Sequence, residues 1–88
     1  MPWTLDKNGV TPDVDLTTAE QDKLNAFMGA IQNDGKHPRT AAQEAGDTMY
    51  ENLQGDQYQI RLSKANRATF TVDDDNERVT FLQVGGHT

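Results

Sequence analysis

At Gly55 the chain changes its period. Upstream, apolar residues recur every three or four positions; downstream they alternate with polar ones. Tyr58, Ile60 and Leu62 are separated by Gln59 and Arg61, and Ala68, Phe70 and Val72 by Thr69 and Thr71, the repeat of strands with one apolar and one polar face. The third run, VTFLQV from Val79 to Val84, is apolar on both parities, which suits a central strand or one whose second face is partly covered. SKAN and DDDNE separate these runs, so three strands are expected as an antiparallel meander. Helical periodicity followed by strand periodicity restricts the chain to an α+β fold. The expected form is two N-terminal helices packed on one face of a small twisted antiparallel sheet. The other face is then polar and open, and carries Arg61 and Arg67.

In the first half, Thr17 with Glu20 three residues on has the form of a capping box, and Leu24, Phe27, Met28 and Ile31 share one helical face. Gly35 supplies a stop, so the pattern predicts a helix from about Thr17 to Asn33. Its inner face should meet Ile60, Phe70 and Leu82. Pro38 disfavours helix at His37, and Thr40 with Gln43 offers the cap of a second helix. Ala42, Ala45, Met49 and Leu53 would form its inner face, with Gly46 and Asp47 weakening the middle. Pro2, Gly9 and Pro12 leave room in the first 16 residues for at most a short strand around Trp3 to Leu5.

Eighty-eight residues suit a single domain, 1–88, with one modest core and marginal stability. The chain has no cysteine, which removes disulfides and thiolate metal sites and makes a reducing cytoplasm the default compartment. No apolar run has the length of a membrane span, and the N-terminal residues do not read as a signal peptide. Nothing in the chain calls for a cofactor. The net charge of −6, from 14 acidic and 8 basic side chains, argues against coating nucleic acid or anionic lipid by bulk charge. The distribution is uneven, however: Gln57 to Thr71 holds Arg61, Lys64 and Arg67 and no acid.

Arg61 and Arg67 flank a short turn, so a hairpin can bring two guanidiniums together as a site for phosphate or carboxylate oxygens. They are equally readable as two solvated strand arginines. His87 follows the last strand and titrates near neutral pH, which suits proton transfer as well as it suits an ordinary surface histidine. His37, beside a proline, reads as a loop residue. With two histidines and no cysteine, a structural metal site is not expected. The run Asp73, Asp74, Asp75, Asn76 and Glu77 lacks the alternation and glycine of a calcium loop and reads as a solvated turn. Trp3 and Tyr50 could stack on bases or lie in the core.

From Met49 onward, MYENLQGDQYQIRLSKANRATFTVDDDNERVTFLQVGGHT resembles the RelE/ParE toxin superfamily, and within it the RelE and YoeB mRNA interferases. The resemblance rests on a strand arginine, a turn, a second arginine followed by aromatic and aliphatic residues, an acidic turn and a last strand. YoeB-like toxins end in His-Tyr; this chain ends in His87-Thr88. The resemblance implies the toxin of a type II toxin–antitoxin pair, a ribosome-dependent mRNA endonuclease held by a cognate antitoxin. Arg61 and Arg67 would neutralise the scissile phosphate, with Lys64 beside them on the RNA, and His87 would act as general acid while the 2′-hydroxyl attacks. Asp47 or Glu51 would stand where such members carry a basic carboxylate. The same resemblance allows a non-catalytic protein of this fold that binds an antitoxin or a gyrase-like target.

Overall fold

A computed structural model describes residues 3–10, 15–46, 48–64 and 66–85. Strand β1 (Thr4–Asp6) opens the fold, and helix α1 (Thr18–Gln32) follows. The helix starts where the capping box requires: Thr17 accepts from the Glu20 N–H, and the Glu20 carboxylate accepts from the Thr17 N–H. It stops at Gly35, whose φ of +66° turns the chain so that its N–H returns to the Ile31 carbonyl. The Gly35 carbonyl then accepts from Trp3 N–H at 3.0 Å, which ties the end of the helix to the start of β1.

Helix α2 (Pro38–Glu44) is seven residues long and starts earlier than Thr40. Pro38 occupies the first turn, where its missing N–H costs nothing, and the His37 ring nitrogen Nδ1 accepts from Arg39 N–H at 3.0 Å. His37 is therefore the cap of α2. Its other contacts are the Trp3 ring at 4.8 Å, edge-on, and the Asp74 carboxylate at 3.9 Å. The helix does not extend to Met49 and Leu53. Gly46 departs at φ +108°, and Thr48, buried, donates its hydroxyl to the Ala42 carbonyl at 2.8 Å. Residues expected on the inner face of a long helix lie instead in a turn and in strand β2 (Glu51–Gln54). Helical spacing over four positions was a local coincidence that one glycine overruled.

Strands β3 (Gln57–Arg61), β4 (Arg67–Asp73) and β5 (Arg78–Val84) continue from β2 as an antiparallel meander, in the order β1-β5-β4-β3-β2. The expected three strands are there, with β2 added at one edge and β1 at the other. β1 runs parallel to β5, so the sheet is mixed and a strand precedes both helices. The expectation of two helices at the N-terminus of an all-antiparallel sheet is corrected to that extent.

Ile60, Ala68, Phe70, Val72, Val79 and Phe81 form the buried face together with Leu24, Phe27 and Ile31 of α1. The Phe27 ring lies 5.2 Å from Phe70 and 6.3 Å from Phe81. Leu82 is not in this core; it is 43 % exposed. The β4–β5 pairing shifts between Thr69 and Phe70, which puts Phe81 opposite Phe70 and Gln83 opposite Thr69 and leaves Leu82 as the unpaired residue of a bulge. A strand apolar on both parities has two candidate inner sets, and the bulge decides between them.

Candidate functional site

The β3–β4 register sets Arg61 directly opposite Arg67. Paired residues on one face have Cβ atoms about 5 Å apart, so the two guanidinium stems leave the sheet side by side, on the side away from the helices. Glu51 stands opposite Gln59, two residues before Arg61, and therefore shares their face, roughly 7 Å further along the strand. Its carboxylate accepts from the Gln59 amide at 3.1 Å. Arg61, Arg67 and Glu51 are brought onto one surface. Lys64 sits exposed at the tip of the same hairpin. His87 and Asp47 lie outside the described residues.

This face is polar, but it is not open throughout. Gln59 and Thr69, paired across β3 and β4, are only 5 % and 6 % exposed. The arginines border that covered centre, and Arg67 Nε is buried with no hydrogen-bond partner among the described residues. A buried guanidinium nitrogen without an acceptor is costly, and two like charges directly across a strand pair repel by about 1 kcal/mol. The repulsion falls when an anion with two or more oxygens enters between the guanidinium ends, although the buried Nε itself is closed to it. The arrangement can thus hold a phosphate or carboxylate in a bidentate way.

The hairpin tip is held in place by Glu20, a residue that its capping pattern alone does not mark for this task. Its Oε2 accepts from the Ser63 hydroxyl and from Asn66 Nδ2, the latter at 2.7 Å, while Oε1 accepts from Thr17 N–H at 2.8 Å. These donors, Ser63 first, hold the carboxyl down at about 2, well below its ordinary value. Glu20 is 4 % exposed and joins the first turn of α1 to the turn between the two arginines. No local sequence signal could reveal it, because the partners are 43 and 46 residues away.

The acidic run is the turn between β4 and β5. Asn76 donates its N–H and its side-chain amide to the Asp73 carboxylate, which lowers the pKa of that group. Among the described residues, no group of three or more His, Cys, Asp or Glu is placed to hold a metal ion, and no helix is long and apolar enough to cross a membrane. Trp3 is buried in the core, whereas Tyr50 is partly exposed at the edge of the sheet. No protein-family model matches the chain, and comparison with curated proteins finds no match either.

Proposed function

We propose that the polar sheet face binds an RNA phosphodiester and that the chain is an mRNA-cleaving toxin of a toxin–antitoxin pair. The observation that carries this reading is the register pairing of Arg61 with Arg67. Two guanidiniums at that spacing would hold the non-bridging oxygens of the scissile phosphate and neutralise the charge that grows there as the 2′-hydroxyl attacks. His87 would protonate the departing 5′-oxygen, and Glu51, on the same face, would take the 2′-hydroxyl proton. Lys64, exposed at the hairpin tip, would reach a neighbouring phosphate. An antitoxin segment covering this face would block all of these contacts at once.

Expression of the protein in a bacterium tests the proposal. The expected result is slowed growth and new mRNA ends, with Arg61→Ala and His87→Gln each reducing cleavage by about 10²–10⁴ while the fold is retained. A second reading, a non-catalytic partner-binding protein of the same type, has its own support in the net charge of −6 and in Met49 and Leu53, large apolar side chains left exposed at the β2 edge. It prevails if the folded wild type leaves translation and mRNA ends unchanged yet binds the product of an adjacent gene.

A further inference from the structure

On the helix side of the sheet, between α2 and the β2–β3 edge, lies a cleft of 590 Å³. One wall is aromatic: the Tyr50 and Tyr58 rings stack with centroids 5.0 Å apart and planes 20° from parallel. Tyr50 also meets Phe70 of the core at 6.2 Å, so the pair is braced from behind. Arg39, exposed on α2, places its guanidinium 5.7 Å from the Tyr50 ring centre, and it is the one charged side chain among the described residues lining the cleft. At the mouth Met49 holds a left-handed backbone, φ +47°, and is 55 % exposed. An L-residue there is strained and persists only where its surroundings impose it. Here Thr48, hydrogen-bonded to Ala42 and Arg61, imposes it.

Partly exposed tyrosine rings beside a cation form a surface for a flat ring joined to a negatively charged group. A nucleotide has both parts. Its base can stack on a tyrosine, an interaction tolerant of base identity, and its phosphate matches the planar fork of an arginine. Burial pushes the Tyr50 hydroxyl up to about 12, with the charges of Tyr58 and Asp74 acting in the same direction and that of Arg39 against it. An aromatic peptide side chain offers the ring but not a doubly charged group at the right end of it. With Arg39 as the one cation among the described lining residues, the cleft matches one phosphate and not a run of them, which leaves one nucleotide as the ligand that fits.

We propose that this cleft binds a single nucleotide, its base on the Tyr50–Tyr58 wall and its phosphate on Arg39. The site opens on the opposite side of the sheet from Arg61 and Arg67 and does not depend on their role. The test is an amide-shift titration of the full chain with adenosine 5′-monophosphate, adenosine, inorganic phosphate and indole-3-acetate. The expected outcome is saturable shifts at Met49, Tyr50 and Tyr58 with the nucleotide, and binding at least about fivefold weaker for the nucleoside. Arg39→Gln, an exposed change that leaves the fold intact, should bring the nucleotide down to the nucleoside's affinity. Absence of saturation up to about 10 mM nucleotide overturns the proposal, as does undiminished nucleotide binding in Arg39→Gln. Equal binding of indole-3-acetate overturns it in favour of an aromatic peptide ligand. Shifts centred on Arg61 and Arg67 in place of the cleft overturn it and assign the nucleotide to the arginine face.

Discussion

Glu20 performs two tasks with one carboxylate: one oxygen closes the capping box, and the other receives the hairpin tip. Because its folded-state pKa of about 2 lies below the 4.5 of a free glutamate, its contribution to stability is complete above about pH 4.5. That contribution is lost progressively as the pH falls toward 2. Replacing Glu20 with Gln should cost about 1.5–3 kcal/mol at neutral pH, the worth of hydrogen bonds to a charged group, and should flatten the acid side of the stability profile. Urea midpoints at a series of pH values would show both effects; a variant that keeps the wild-type slope below pH 4.5 would mean that another group carries it. Met49 makes the opposite case. Its backbone pays for a conformation that glycine adopts freely, and the residue is more than half exposed. Met49→Gly should therefore leave stability unchanged or raise it by up to about 1 kcal/mol, since relief of strain outweighs the added freedom of the unfolded chain.

At the level of elements, the two helices differ in how their ends are specified. α1 carries its start in Thr17 and Glu20 and its stop in Gly35, all local signals, and it spans the residues that those signals delimit. Thr17→Ala removes the side-chain half of the box and should destabilise the protein by about 1 kcal/mol, measurable as a lowered midpoint with little change in slope. α2 is capped by His37, an unusual side chain for that task, and ended by Gly46 and the Thr48 hydroxyl. The pattern of alanines suggested a longer element because alanine fits a helix wherever it falls. The β3–β4 hairpin was legible in its alternation, and its register follows from the turn between Leu62 and Arg67, where the Leu62 and Ser63 N–H groups both donate to the Asn66 carbonyl. That register is what sets the two arginines face to face.

For the whole molecule, a radius of gyration of 11.6 Å agrees with the value of about 12 Å for a compact chain of this length. Its core is held by one aromatic cluster, in which Phe27 of α1 bridges Phe70 of β4 and Phe81 of β5. Phe70→Ala should cost about 3–5 kcal/mol, a large share of the total stability of so small a domain. Phe70→Leu, which keeps most of the volume, should retain the fold with a lower urea midpoint. If Phe70→Ala left the midpoint unchanged, the helix layer would not be anchored where the ring contacts place it.

Alternation, capping and turn chemistry act over a few neighbouring residues, and so the sequence alone was sufficient for α1, for the three strands after Gly55, for the polar parity of Arg61 and Arg67 and for the α+β class. Other features depend on partners far apart in the chain. The parallel docking of β1 on β5, the bulge that expels Leu82 and seats Phe81, the reach of Glu20 to Ser63 and Asn66, and the meeting of Arg39 with Tyr50 and Tyr58 are of this kind. Each is settled by which arrangement buries the aromatic core while leaving the fewest polar groups unpaired, a competition between whole packings that no local pattern encodes.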